Sequence, residues 1–366
     1  MADKSAIEWT DATWTPIRAR NRKTGKVGWH CEHATTGCVF CYSEGFNKRL
    51  GTGLSFKPGH RQDIDLFLDE DMLTAPLRWK KPRMIFVCSM TDLFADFVPD
   101  DWIDKMFAVM ALSPQHTFQV LTKRAKRMRG YLAFAQNRIG EMVFVNALRG
   151  AGSVDAETWR HAKDRLWPMP NVWLGVSAER QQEADQRIPD LLATPAATRF
   201  VSAEPLLGPL DILWAMSRNT LDIGAGFLTR GQFAPGLETL RPLDWVIVGG
   251  ESGHDARPMH PDWAREIRHD CAAANVPFFF KQWGAWADSS DAPDLVTGSE
   301  DFIFASDGTV LGAGGRVGGK MNGIVEHDWR ERGGAWMTRI NKKAAGRLLD
   351  GVEHNAMPEM REVLAL

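Results

Sequence analysis

Short, continuously apolar runs recur along this chain of 366 residues, and each ends in a polar cluster. Met84-Ile-Phe-Val-Cys88 ends in Ser-Met-Thr-Asp-Leu-Phe, Phe118-Gln-Val-Leu121 in Thr-Lys-Arg, and Val172-Trp-Leu-Gly-Val176 in Ser-Ala-Glu. Arg199-Phe-Val201 ends in Ser-Ala-Glu-Pro, Trp245-Val-Ile-Val248 in Gly-Gly-Glu-Ser-Gly, and Val276-Pro-Phe-Phe-Phe280 in Lys-Gln-Trp-Gly. Helical patterns fall between them, at about Pro99–Leu112 and Asp262–Ala274. Strands of this kind are buried on both faces, and their alternation with helices predicts a parallel sheet covered by helices. Six or seven such units suit an α/β barrel or partial barrel, with a doubly wound open sheet as the alternative. In parallel α/β barrels the active site lies at the C-terminal strand ends, which is where the polar clusters fall.

The remaining stretches frame this repeat. Residues 7–17 alternate in a strand-like way and lead through a basic, glycine-containing turn to a cysteine cluster. Tyr42–Leu50 reads as a short helix, and residues 62–79 carry Ile64, Phe67, Leu68, Leu73 and Leu77 at helical spacing. Residues 132–170 and 212–243 are longer than the usual βα connection and read as insertions. Residues 285–335, rich in Gly, Asp and Ser around Phe302-Ile-Phe304, read as a loop-rich lid or appended hairpin. Thr338–Asp350 reads as a basic helix with Gly351 as its C-cap. The expected division is an α/β barrel domain over 1–284 and a C-terminal extension over 285–366 that packs on it.

Apolar residues make up 44% and charged residues 25%, with a formal net charge of −2. That balance excludes a polycation built to coat nucleic acid, so any such contact must come from a local patch. No apolar run is long enough for a membrane span and the first residues lack a signal-peptide core, so a cytoplasmic protein with no membrane partner is expected. Of five cysteines, three crowd into eleven residues, which is no disulfide framework and fits a reducing compartment. Cys88, in an apolar strand, and Cys271, in a helical pattern, read as packing residues.

The crowded three stand in Cys31-Glu-His-Ala-Thr-Thr-Gly-Cys38-Val-Phe-Cys41, a C-x6-C-x2-C spacing. Thiolate is the soft ligand that iron–sulfur clusters and zinc select. A cubane cluster on three cysteines leaves one iron open to a small chelating molecule. Phe40, directly before the third cysteine, would shield a cluster from water, and Gly37 lets the backbone turn tightly. A structural zinc site completed by His30 or His33, and three unliganded buried cysteines, are the alternatives.

Cys38-Val-Phe-Cys41 resembles the second half of the cluster loop of radical S-adenosylmethionine (SAM) enzymes, C-x3-C-x-aromatic-C, although the first gap here is six residues. The likeness extends further. Cys31–Cys41, Ser89-Met-Thr-Asp-Leu-Phe94, Gln119-Val-Leu-Thr-Lys-Arg124, Asn171-Val-Trp-Leu-Gly-Val-Ser177 and Val201-Ser-Ala-Glu-Pro205 are five matching stretches. Val248-Gly-Gly-Glu-Ser-Gly253 with Ala256-Arg-Pro258, Phe278-Phe-Phe-Lys-Gln-Trp-Gly284 and Lys342–Gly351 continue them. Together they resemble a phage and bacterial family, usually called simply a phage protein, of undetermined function. Bacterial members are often encoded beside a three-Cys-motif partner protein, and the family is similar to radical-SAM enzymes.

The resemblance implies a partial TIM-type (β/α)6–7 barrel with insertions and a phage-encoded or bacterial cytoplasmic enzyme. It implies that Cys31, Cys38 and Cys41 hold a [4Fe-4S] cluster whose fourth iron is chelated by the amino and carboxylate groups of SAM. An electron from a donor such as flavodoxin or ferredoxin would cleave the sulfonium, and the 5′-deoxyadenosyl radical would take a hydrogen from substrate. Lyase, isomerase and transferase outcomes all remain open. Ser89, Thr91, Asp92, Lys123, Ser177, Glu179 and Glu204 are strand-end candidates for contacting SAM. Gly249 and Gly250 would allow close backbone approach to a ligand, and Glu251 would meet an amine or ribose hydroxyl. Each polar one also suits a cap on the following helix.

Two basic runs are candidates for phosphate contact, with solvated faces as the alternative. Lys123, Arg124, Lys126, Arg127 and Arg129 follow a strand end and are expected to carry more of the binding than Arg18, Arg20, Arg22, Lys23 and Lys26. His33 either lines the site or lies exposed, and His254 and His260 have no evident partner. The readings weighed are a radical-SAM enzyme modifying or repairing a nucleic-acid base or nucleotide, one acting on a small molecule or peptide, and a zinc-stabilised nucleic-acid-binding protein.

Overall fold

The computed structural model describes residues 5–148, 167–221, 243–291, 298–317 and 320–359. The first ten strands in chain order are β1 (Ala12–Trp14), β2 (Ile17–Asn21), β3 (Val27–Gly28), β4 (Ile64–Leu68), β5 (Met84–Val87), β6 (Thr117–Thr122), β7 (Val172–Ser177), β8 (Thr198–Ala203), β9 (Trp245–Gly249) and β10 (Phe278–Gln282). The fold is mixed α/β, and its largest sheet takes the order β1-β5-β6-β7-β8-β9-β10. Pairing is parallel between β1 and β5, β5 and β6, β6 and β7, and β9 and β10. β7 and β9 are buried at every position, as strands covered on both faces require.

Two compact units divide the chain: Met1–Val176 with Asp190–Phe200 and Glu359–Leu366, and Ser177–Pro189 with Val201–Pro358. In the first, the helix Asp100–Ala111 buries Ile103, Met106, Phe107 and Met110. Trp14 of β1 packs on Phe118 of β6 with ring centroids 5.6 Å apart. A separate antiparallel sheet, β3-β2-β4, carries the chain into and out of the cysteine region. Here the helical reading of 62–79 fails. Ile64–Leu68 is β4, paired antiparallel with β2 from Ile17↔Leu68 to Asn21↔Ile64. Only short turns follow, Glu70–Leu73 capped by the Asp69 carboxylate and Ala75–Arg78. A strand followed at once by two helical turns produced the misleading apolar spacing.

In the second unit the stretch read as a loop-rich lid is a five-stranded antiparallel sheet. Its strands are β11 (Trp286–Asp288), β12 (Glu300–Ala305), β13 (Val310–Val317), β14 (Lys320–Val325) and β15 (Gly334–Arg339), in the order β11-β15-β12-β13-β14. Gly312, Gly314 and Gly323 within its strands allow close backbone approach. A Cβ on Gly314 would stand 2.7 Å from the Asn322 carbonyl oxygen, and one on Gly323 2.3 Å from that of Ala313. The expected tail helix is also corrected: only Lys342–Ala345 is helical, capped by Asn341. Leu348-Leu349 then pairs with Val352-Glu353 across Asp350 (φ 54°) and Gly351 (φ 77°). Gly351 is thus a hairpin-turn residue and not a helix cap.

This tail covers β10. Phe279 bridges Asn355, the Phe280 N–H donates to the His354 carbonyl, and the indoles of Trp245 and Trp283 donate to the carbonyls of Ala356 and Leu348. Of the two expected insertions, the helices Ala135–Leu148 and Ile212–Leu221 are described, and 149–166 and 222–242 lie outside the described residues. Cys88 and Cys271 are buried, as packing residues should be. No helix among the described residues is long and apolar enough to cross a membrane.

Gly175 of β7 tests how tightly the first unit is packed. A Cβ there would meet the Phe200 ring at 2.5 Å. Gly175→Ala should lower unfolding free energy by about 1–3 kcal/mol through overpacking, read by urea titration. An unchanged midpoint would show that Phe200 can withdraw.

Candidate site at the cysteine loop

Three separate hydrogen bonds moor the start of the loop. The Trp29 N–H donates to Asn47 Oδ1 at 2.9 Å, the His30 carbonyl accepts Thr91 Oγ1 at 2.6 Å, and the Glu32 carbonyl accepts Arg124 Nη2 at 2.8 Å. Thr36–Cys38 forms a single 3-10 turn, and the Cys41 N–H donates to the Cys38 carbonyl. Cys41 then starts the helix Tyr42–Leu50, whose first two side chains both donate to the Ser89 carbonyl at 2.9 Å. Ser89 and Thr91 follow β5 and Arg124 follows β6, so the thiol loop rests on the C-terminal ends of those parallel strands.

Asp92 organises that end of the sheet. Its buried carboxylate accepts the N–H of Phe94 (3.0 Å), the Thr122 hydroxyl (2.7 Å), the N–H of Lys123 (2.9 Å) and Arg124 Nη1 (3.0 Å). A candidate contact for SAM is thereby occupied by the protein's own donors. Arg124 spans the system, with one nitrogen on Asp92 and the other on the cysteine loop.

Burial pushes the Cys31 thiol up, Asp92 adds to the rise, and Arg124 opposes it. Burial also raises Cys41, against the N–H groups of Glu44 and Ser43 at the helix start, which favour its thiolate. Cys31 feels both other thiols, and Cys41 feels Cys38. Cys88, which leaves β5 with φ 57°, is raised strongly by burial, then by Asp92 and Cys31. The soft-donor chemistry of the three loop thiols fits an iron–sulfur cluster. Among the described residues no three His, Cys, Asp or Glu side chains converge as a finished ligand set.

Both nearby histidines sit against carboxylates. His30 is buried between Phe97 and Phe56, with Nε2 3.4 Å from Glu32 Oε1, and burial lowers its pKa. His33 Nε2 lies 2.7 Å from Glu44 Oε2. Burial acts to raise Glu44, but Lys48, the Phe56 N–H and His33 outweigh it and hold the carboxyl below its usual range.

The second unit carries its own strand-end groups, each carboxylate with a cation. Glu179 pairs with Arg187 at 3.0 Å, both buried, and Arg187 also donates to the Ser177 carbonyl at 2.7 Å. Glu204 meets Lys281 at 2.5 Å. Glu251 receives Arg257 in a fork, Nε at 2.8 Å and Nη2 at 2.7 Å. Gly249 lies against the Glu204 side chain. A Cβ on Gly250 would stand 2.0 Å from the Trp283 carbonyl oxygen, so its glycine accommodates protein backbone where a ligand was expected. His260 caps the helix Pro261–Ala273 through its ring, and His254 lies exposed beside Asp255.

The arginines of the basic run after β6 are engaged by the protein's own acceptors, although Arg129 is exposed. Beyond Arg124, Arg127 donates to the carbonyls of Ala95 and Val98 and pairs with Asp100, and Arg129 pairs with Asp190 at 3.0 Å. Lys126 is exposed. Sequence reasoning missed the partners Arg187, Arg257 and Lys281. Lys281 had a readable signal, since it directly follows three phenylalanines of a strand.

A family model described as "Protein of unknown function (DUF5131)" matches residues 4–358. No curated protein and no solved structure matches the chain.

Asp92→Ala leaves Arg124 and three further donors without their acceptor. Unfolding free energy should fall by about 3 kcal/mol or more, and hydrogen exchange over residues 30–41 should quicken as Arg124 loosens. A loss below about 1 kcal/mol with unchanged exchange would remove Asp92 from this role.

Proposed function

We propose that this chain, which belongs to the DUF5131 family of proteins of unknown function, is a radical-SAM enzyme on a partial barrel of TIM type. Its substrate is a nucleic-acid base or nucleotide, and a flavodoxin- or ferredoxin-like protein is its electron donor. The observation that carries the reading is the mooring of a three-thiol loop on the C-terminal ends of β5 and β6. Strand ends of that kind are where parallel α/β enzymes hold their chemistry. Cys31, Cys38 and Cys41 are the residues that would hold a [4Fe-4S] cluster. When bound, that cluster supplies a low-potential electron for reductive cleavage of SAM.

The chain's own residues set the charge balance of the loop. Burial keeps Cys31 and Cys41 as thiols, so ligation must release their protons. The Arg124 guanidinium at Cys31 and the N–H groups of Ser43 and Glu44 at Cys41 then balance the thiolate charge. Arg124 also fixes the loop's position, and Phe40 directly precedes Cys41 with 39% of its surface exposed. Ser89, Thr91 and Lys123 belong to the segments that anchor the loop, which makes them the nearest candidates for substrate and SAM contact.

Anaerobically purified protein should be brown and contain about four iron and four sulfide per chain. Cys31→Ala, Cys38→Ala and Cys41→Ala should each lose the chromophore, whereas Cys88→Ala and Cys271→Ala should keep it. With SAM and a chemical reductant the wild type should release 5′-deoxyadenosine. Stoichiometric zinc without sulfide, or a chromophore lost in Cys88→Ala and kept in Cys31→Ala, would sink the assignment.

A further inference from the structure

The basic residues ahead of the cysteines are displayed differently from those after β6. Along β2, Ile17, Ala19 and Asn21 are buried, so Arg18, Arg20 and Arg22 alternate onto the other face. Lys23 and Lys26, in the turn to β3, are exposed. The half-buried Arg18 feels the Asp69 carboxylate, and Asp65 pairs with Arg22, with both side chains of that pair more than half exposed. Pairs of that kind contribute little and yield readily to a competing anion.

Four guanidinium groups of this region lie over aromatic rings. Arg18 sits 4.8 Å from the Trp29 ring centre, Arg20 5.4 Å from Phe67, Arg49 5.2 Å from Phe46 and Arg61 5.2 Å from Phe97. A stacked guanidinium is held in place and can still present its N–H fork to phosphate, except that Arg18 spends its own donors on the Gly28 carbonyl and the Met72 sulfur. The helix that carries Arg49 also carries an exposed apolar stripe. Tyr42, Phe46 and Leu50 follow one another at i, i+4 and i+8 on the helix Tyr42–Leu50, exposed by 50%, 44% and 66%, and Phe40 precedes them at 39%.

Hairpin and helix are locked together by Asn47. Its Oδ1 accepts the N–H groups of Trp29 and Thr52, and its Nδ2 donates to Thr52 Oγ1 and the Leu54 carbonyl. Gly28 fits against that amide, since a Cβ there would stand 2.5 Å from Asn47 Oδ1. Asn47 therefore fixes the hairpin and the helix against one another, and the helix begins directly after Cys41 of the cysteine loop.

We infer that the β2–β3 hairpin and the outer face of the helix Tyr42–Leu50 form a platform for single-stranded nucleic acid. Backbone phosphates lie along Arg20, Arg22, Lys23 and Lys26, and unpaired bases stack on Phe46 and Tyr42. A cationic track beside exposed rings is how proteins hold single strands without reading sequence. An acidic protein would use the cations but has no flat bases for the stripe, so the rings favour the nucleic acid. The inference rests on the proposed function for its substrate class, while the binding itself requires neither cluster nor SAM. It reverses the order expected of the two basic runs.

The test is fluorescence anisotropy with labelled single-stranded DNA, single-stranded RNA and duplex DNA over a salt series, with iron and sulfide measured on the same preparation. The wild type should bind a single strand, DNA or RNA, more tightly than duplex. The triple variant Arg20→Ala, Lys23→Ala, Lys26→Ala should bind at least about tenfold more weakly, its log–log salt slope smaller by about 2, at about 0.7 per lost contact. Phe46→Ala should weaken binding about fivefold or more with the slope unchanged, and Lys126→Ala should change nothing. All five positions are exposed, so the variants should fold, and circular dichroism checks this. Absence of oligonucleotide binding at low salt, or an unaltered slope in the triple variant, overturns the platform. Capture of an acidic flavodoxin by wild type but not by the triple variant, with no oligonucleotide bound, assigns the surface to a protein instead. A colourless protein that binds oligonucleotide keeps the platform and rejects the cluster, and a brown one that does not bind does the reverse.

Discussion

One carboxylate holds the working end of the first unit together. Asp92 accepts four hydrogen bonds from Phe94, Thr122, Lys123 and Arg124, and so ties the segment after β5 to the segment after β6. Burying a charge is costly unless it is paired and hydrogen-bonded, and here both conditions are met at once. Arg124 extends the link to the Glu32 carbonyl, within the cysteine loop. Local backbone geometry alone would leave an eleven-residue loop with many conformations. The same guanidinium that neutralises Asp92 also acts on Cys31, so the lock between these strand ends and the charge balance of the thiols are one feature.

The second unit repeats the logic with separate pairs. Glu179–Arg187, Glu204–Lys281 and Glu251–Arg257 each place a carboxylate just past a strand and a cation against it. The three differ in exposure. Glu179 is closed off from solvent, whereas Glu204 keeps 17% of its side-chain surface. A fully buried pair organises backbone, and removing one partner leaves an uncompensated charge. A partly solvated pair such as Glu204–Lys281 can open to a polar ligand at lower cost, because water already stabilises part of the separated state.

The parallel strands were legible because both faces of each are buried, which writes an unbroken apolar run into the sequence. β7 and β9 are of this kind. Where one face meets solvent the signal weakens. Ile64, Phe67 and Leu68 of β4 also satisfy helical spacing, and its antiparallel partner β2 lies more than forty residues earlier. The glycines of β13 and β14 suggested loop, whereas their role is to let two backbones approach. Asp350-Gly351 is a turn signal that the basic residues before it concealed. At the site, the three cysteines were legible from spacing, and the strand-end polar groups from their place after apolar runs. Their partners were not, since Asp92 with Arg124 and Glu204 with Lys281 are joined by the sheet and are remote in sequence.

The two basic runs show why charge along a sequence does not by itself locate an anion site. Both hold five cations within a few residues. The run after β6 lies among acceptors: Asp92, Asp100, Asp190 and the carbonyls of Ala95 and Val98. Its arginines therefore complete the protein's own hydrogen bonding, and an external phosphate would have to displace those partners, of which the Asp92 carboxylate on Arg124 is buried. Arg20, Arg22, Lys23 and Lys26, on β2 and the turn after it, are exposed, and the Asp65 carboxylate on Arg22 can be exchanged at small cost. What separates the two is the supply of acceptors on neighbouring elements. That supply is fixed by the strand order, which a count of lysines and arginines does not contain.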